Sequence, residues 1–218
     1  MTAGDRETTG GPAPAPVGAA IEELRALAAG CRACPLWERA TQTVFGEGPP
    51  QAPLVLVGEQ PGDREDIEGH PFVGPAGRVL DEAIADAGLD SEDIYLTNVV
   101  KHFKWKARGR RRIHDTPNER EVTACRPWMD AEITAIRPTG LVCLGAIAAR
   151  ALFGRGYRLT ERHGELVESD LAPVVTASFH PSAVLRGPDP AAKRARYEDL
   201  VGDLAAVRRA IEEARQRG

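Results

Sequence analysis

Leu54-Val55-Leu56-Val57-Gly58-Glu59-Gln60-Pro61-Gly62 is the stretch on which the fold turns. Four apolar residues without alternation, closed by a glycine-rich turn, read as a short strand buried on both faces. Three further runs share this character: Ile94–Val100, interrupted by polar residues, Leu141–Leu144 and Pro173–Ala177. Helical patterns lie between and after them, over Ala76–Ala87, Asn118–Ile136, Ala146–Phe153 and Ala191–Arg215. Upstream, Ile21, Leu24 and Leu27 carry helical spacing within Ala19–Ala29, with Gly30 as the expected C-cap. Strands alternating with helices predict an α/β fold, a three-layer αβα arrangement around a central, mostly parallel four-stranded sheet. No internal repeat or linker divides residues 18–218, which read as one domain. Residues 1–17 are mostly Gly, Ala, Pro and Thr, too poor in apolar groups to order themselves, so a disordered tail is expected there.

The chain has 218 residues, 42% hydrophobic and 28% charged, a balance that supports a buried core. No apolar run approaches the ~18 residues of a membrane span. Met1–Gly18 also lacks the apolar centre of a signal peptide. A cytoplasmic, monomeric protein without membrane attachment is therefore expected. The formal net charge of −4 argues against a nucleic-acid partner if taken alone, but a ligand feels the local field. Lys101–His114 holds seven Lys or Arg residues in fourteen positions, no Asp or Glu, and two aromatics, Phe103 and Trp105. Cations for phosphates and rings for stacking suit a nucleic acid. The stretch ends in His114, whose arginine neighbours disfavour its protonation; a neutral imidazole is a competent nucleophile.

In an open parallel sheet, ligands bind beyond the carboxyl ends of the strands. The expected strand ends are Gly58–Gly62, Thr97-Asn98, Cys143-Leu144-Gly145 and Ser178-Phe179-His180-Pro181-Ser182. A carboxylate, two amides, a histidine and two glycine-rich turns would thus share one rim. A Gly-Pro-Gly turn is also ordinary connecting geometry. Its functional reading is that Gly58 and Gly62 admit a ligand close to the backbone. His180 at a strand end can be merely hydrogen-bonded, but Pro181 holds it extended, which suits a fixed donor.

Cys31-x2-Cys34 is followed, ninety residues on, by Cys125-x17-Cys143. In a cytosolic protein these read as a four-thiolate site rather than disulfides. Spacing alone leaves zinc and a [4Fe–4S] cluster both open.

Taken together, these motifs resemble the family 4 uracil-DNA glycosylases. The resemblance rests on Gly58–Gly62, Gly69–Gly77, His180–Ser182 and the four cysteines. Gln60 and the basic run Arg110-Arg111-Arg112-Ile113-His114 narrow it to the UdgX subgroup, whose loops usually read Lys-Arg-Arg-Ile-His. The resemblance implies excision of uracil from DNA, with single strands preferred and free uracil released. It implies a [4Fe–4S] cluster on Cys31, Cys34, Cys125 and Cys143. It also implies that His114 remains covalently joined to the abasic site, so that each molecule acts once. Phe72 would stack on the extruded base, Asn98 would read its polar edge, and His180 would donate to its carbonyl. Glu59 would orient His114 and accept its proton. Gln60 belongs to the pocket and Asp63 to its rim, next to Gly58. Arg186, Lys101, Lys104, Arg110, Arg111 and Arg112 would contact DNA.

This chemistry has a physical logic. Extruding a base costs a few kcal/mol, and stacking on Phe72 can return about 1–3 kcal/mol. An Asn amide matches both N3–H and O4 of uracil, whereas cytosine leaves buried polar groups unpaired. Donors aimed at the departing base stabilise its negative charge. Two other readings remain open from the residues. One is an enzyme of this fold that turns over normally, with water as nucleophile. The other is a non-catalytic, metal-stabilised single-strand binder, which has no need of Glu59, Asn98 and His180 together.

Overall fold

A computed structural model describes residues 15, 16 and 18–217. The tail expected over 1–17 therefore lies almost wholly outside the described residues. Helix α1 (Ile21–Ala28) leads through a 3-10 turn at Pro35–Glu38 into strand β1 (Leu54–Gly58). Helices α2 (Asp63–Glu68) and α3 (Pro75–Asp86) precede β2 (Ile94–Asn98). A hairpin follows, β3 (Trp105–Arg108) and β4 (Arg111–His114), and then α4 (Glu119–Ile136). Strand β5 (Gly140–Leu144), α5 (Ala146–Phe153), α6 (Leu159–Arg162), β6 (Val174–Ser178), α7 (Pro181–Leu185) and α8 (Pro190–Arg217) complete the chain.

The main sheet has the order β2-β1-β5-β6 and every pairing is parallel, as the sequence predicts. Its strands are almost entirely buried because both faces are covered, with Thr97, Asn98, Thr176 and Ser178 as their polar members. Side chains alternate across a strand, and the two cores follow that alternation. Val55, Val57, Leu141, Cys143, Val175 and Ala177 pack toward Leu24 of α1, Trp128 and Met129 of α4 and Ala148 of α5. Leu54, Leu56, Val142, Leu144 and Val174 pack toward Leu80 and Ile84 of α3 and Leu200, Leu204, Val207 and Ile211 of α8. The last four recur at helical spacing along one face.

Local signals set the element ends. Asn118 caps α4 in a reciprocal box with Glu121, and Pro75 occupies the first turn of α3. One cap differs from expectation: α1 ends at Ala29 in right-handed geometry, so Gly30 is not the C-cap. The hairpin β3–β4 is absent from the sequence reading. Half of its strand residues are Lys or Arg and each strand is only four residues long, so the apolar signal is weak, and Gly109 (φ 60°) signals the two-residue turn.

The chain leaves β1 toward β2 through α3 on one face of the sheet, and leaves β5 toward β6 through α5 on the other. The gap between the carboxyl ends of β1 and β5 is therefore the topological switch point, where open α/β sheets bind ligands.

Candidate active site

A cleft of about 1030 Å³ opens at that switch point, lined by Glu59, Gln60, Asp63, Phe72, Asn98, His114, His180 and Arg186, among others. The sheet thus gathers residues from five segments onto one rim. Gly58 sits beneath it. A Cβ there would lie 2.3 Å from Asn98 Oδ1 and 2.8 Å from Phe72 Cζ, so only glycine lets both groups occupy the cleft floor. Asn98 is buried, and its amide makes no hydrogen bond among the described residues. Phe72 has φ 59°, a left-handed conformation that costs a non-glycine residue of order 1–3 kcal/mol. Gly77 accommodates it: a Cβ at Gly77 would stand 1.4 Å from the Phe72 carbonyl oxygen. The Phe72 ring lies 6.1 Å from the His180 ring, inclined by 26°.

His180 caps α7, and its Nδ1 accepts the Ser182 backbone N–H at 3.1 Å. An accepting Nδ1 leaves the ring proton on Nε2. Burial lowers the His180 pKa to about 4, aided by the Arg186 and His114 charges and opposed by Glu59. The ring is thus a neutral donor at neutral pH.

His114 closes β4, opposite Trp105, and its Nε2 lies 3.3 Å from Glu59 Oε1. That oxygen is buried and has no hydrogen-bond partner within proper geometry. An unpaired buried carboxylate oxygen is costly, and an acid–base partner or an incoming ligand would satisfy it. The hairpin that carries His114 is fastened to the sheet. Gln60 Nε2 donates to the carbonyls of Lys104 and Asp115, both at 3.1 Å, and Gln60 Oε1 accepts the Lys104 N–H at 3.0 Å. Gln60 therefore holds both ends of the hairpin rather than facing a ligand with a free amide.

One expected DNA contact, Lys101, is corrected, and two others are found in ion pairs. Lys101 is 1% exposed, and its ammonium is bound to Glu132 inside the fold. Lys104 pairs with Glu121 at 2.9 Å. Arg112 grips Asp63 and Asp66, each at 2.6 Å, which ties the hairpin to α2 and also occupies Asp63. These cations already have partners, so they serve the fold. Arg110 and Arg111 are exposed at the hairpin turn and Arg186 at the end of α7, free to meet phosphates.

All four cysteines are free thiols and belong to the core layer formed by α1, α4 and α5. Trp128 Nε1–H donates to Cys31 Sγ and the Lys101 N–H to Cys125 Sγ, both at 3.2 Å. Burial pushes the Cys125 thiol up to about 12, and raises Cys34 and Cys143 as well. Among the described residues, no three His, Cys, Asp or Glu side chains stand close enough to bind a single metal ion.

The model of the uracil DNA glycosylase superfamily matches residues 45–201. The chain belongs to the uracil-DNA glycosylase superfamily. A type-4 uracil-DNA glycosylase of Pyrobaculum aerophilum is 36% identical, over 77% of this chain and 86% of its own length. Those of Archaeoglobus fulgidus and Thermotoga maritima are 38% and 37% identical, over 80% and 78% of this chain and 87% and 85% of theirs. The match spans the switch-point cleft from β1 into α8, so the superfamily's sheet is the scaffold of the cleft residues, while Cys31 and Cys34 precede the matched stretch.

Sequence reasoning missed part of this superfamily member's cleft. Ile147, Arg150, Arg158, Leu159 and Arg196 line its far side, and Leu185 stands at its rim, 43% exposed. Ile147 lies just inside the helix after β5, so the strand-end rule could have found it; Arg150, Arg158 and Arg196 converge only through tertiary packing. No helix among the described residues is long and apolar enough to cross a membrane.

Proposed function

We propose that the chain excises uracil from DNA and then joins His114 to C1′ of the abasic sugar, as the UdgX subgroup does. The observation that carries the second step is the buried, unpartnered Glu59 Oε1 at 3.3 Å from His114 Nε2. The first step is supported by the type-4 relatives and by the cleft. Phe72 offers a face for the extruded base, Asn98 an open amide for its polar edge, and neutral His180 a donor for the carbonyl that gains negative charge. Departure of the uracil anion leaves a cationic sugar. One ring nitrogen of His114 attacks C1′, and Glu59 takes the proton from the other. A held imidazole competes with water through its effective molarity. The resulting glycosyl-imidazole is neutral and leaves poorly, so the bond persists. Arg110, Arg111 and Arg186 would hold the backbone of a strand, and a single strand spares the cost of unpairing.

The cysteines fit a [4Fe–4S] cluster. Zn–S bonds of about 2.3 Å draw four sulfurs to one ion, whereas a four-iron cube carries each thiolate on its own metal. The N–H donors at Cys31 and Cys125 suit thiolates that would carry such a cube. Bound there, the cluster would fasten the segment after α1 to α4 and β5. Iron and sulfide analysis of the purified protein tests this, and zinc without iron would exclude it.

The activity test is a labelled, uracil-containing single strand mixed with protein, boiled in detergent and run on a denaturing gel. A protein-sized shifted band that disappears in His114→Ala is expected. A strand that breaks at the uracil position under alkali, without a shift, would mean ordinary turnover with water as nucleophile.

A further inference from the structure

Among the described residues, one fully buried ion pair lies outside the reacting groups. Lys101 and Glu132 are 1% and 0% exposed and directly paired. Ion pairs this deep are weak contributors to stability, because desolvation offsets the attraction; an apolar pair would pack as well. Their contacts are specific. The Lys101 ammonium donates to Glu132, to Thr97 Oγ1 at 2.7 Å and to the Asn98 carbonyl at 2.8 Å, which uses all three of its protons. Glu132 also accepts from the Gly46 N–H and the Tyr95 hydroxyl, both at 3.0 Å, and from Thr97.

Asn98 ends β2, at the edge of the sheet and on the floor of the cleft. Beyond it the Val99 N–H still meets the Gly58 carbonyl at 2.9 Å, which holds one side of the Asn98–Val99 peptide, and the lysine holds the other side through the Asn98 carbonyl. Lys101 is in turn tied to α4 at two points. Its backbone N–H meets Cys125 and its ammonium meets Glu132, residues seven apart and so on one face, two turns along the helix. The segment between these ties runs from Asn98 toward the hairpin.

We propose that the Lys101–Glu132 pair is a positioning device for Asn98: it fixes the peptide plane that aims the Asn98 amide at the base, and through it sets the rate of uracil excision. This rests on the proposed glycosylase reading. Neither residue touches substrate.

Lys101→Met alone would strand the Glu132 charge in the core. The informative variant is therefore Lys101→Met with Glu132→Gln. It removes both charges yet keeps an acceptor for Gly46 and Tyr95, and thermal unfolding checks that it folds. Single-turnover excision is then measured at saturating protein. Affinity is measured separately with a strand whose 2′-fluoro-uridine resists cleavage. The excision rate should fall about 10- to 100-fold, the range for a displaced pocket group, while affinity holds because phosphates carry it. In an Asn98→Ala background the same double change should cost nothing further. Full additivity with Asn98→Ala, an unchanged rate, or a loss confined to affinity would overturn the proposal. If the neutral pair does not fold, Thr97→Val keeps both charges but removes one ammonium acceptor and one donor to Glu132, and is run through the same cycle, with a smaller loss expected. A parent protein that excises no uracil would remove the glycosylase reading and this one together; an active parent with an unaffected variant removes only this one.

Discussion

Under the proposed mechanism, replacing Gln60 by alanine should separate base excision from capture by His114. The Gln60 amide makes three hydrogen bonds of 3.0–3.1 Å to Lys104 and Asp115, the residues that flank the hairpin. Each neutral hydrogen bond contributes about 0.5–1.5 kcal/mol net, so the three together hold the hairpin by about 1.5–4.5 kcal/mol. The Arg112 and Lys104 ion pairs remain in Gln60→Ala, so the hairpin loosens without detaching. Since about 1.4 kcal/mol is a tenfold change in population, capture should slow by about tenfold or more. Phe72, Asn98 and His180 are not bonded to Gln60, and excision should change little. A quenched time course gives both numbers: the shifted band reports capture and alkali-labile strand reports excision. Free abasic strand should therefore accumulate in the variant. Capture at the parental rate, or equal loss of both steps with their ratio unchanged, would refute the role assigned to Gln60.

Other consequences follow from the same geometry. Burial lowers the pKa values of His180 and His102 from 6.5 to about 4. The unfolded chain therefore binds more protons between those values, and stability is complete above about pH 6.5 and falls as pH drops toward 4; acid titration of thermal unfolding checks the sign. Over the same range His180 stays neutral, so the excision rate of folded protein should hold until pH approaches 4. Arg110→Ala and Arg111→Ala should each reduce the salt dependence of DNA binding by about one ion, whereas the neutral pair at Lys101 and Glu132 should leave that slope intact, as fluorescence anisotropy across a salt series would report. Gly58→Ala should abolish excision, because the added carbon meets Asn98 Oδ1 at 2.3 Å; an active, folded variant would contradict the tight floor described for the cleft.

Much of this was legible from residues alone. Unbroken apolar runs such as Leu54–Val57 fix a doubly covered parallel strand, because such a run has no face to give to water. Glycines at strand ends and the His180-Pro181 pair mark the rim of the sheet through backbone restrictions that act locally. Through the family they resemble, Glu59, Asn98, His114 and His180 likewise imply a chemistry before any coordinate does. Tertiary structure decided what those local signals cannot carry. Charge in the stretch Lys101–Arg112 looks uniform in sequence, yet Lys101, Lys104 and Arg112 are spent on Glu132, Glu121 and the Asp63–Asp66 pair, all distant along the chain. Arg108, Arg110 and Arg111, exposed at the turn and without an ion pair among the described residues, remain for a ligand. Whether a cation is surface or keystone depends on which carboxylate the fold brings beside it, and Coulomb attraction acts through space rather than along sequence. Gln60 makes the same point, since its three partners lie more than forty residues away.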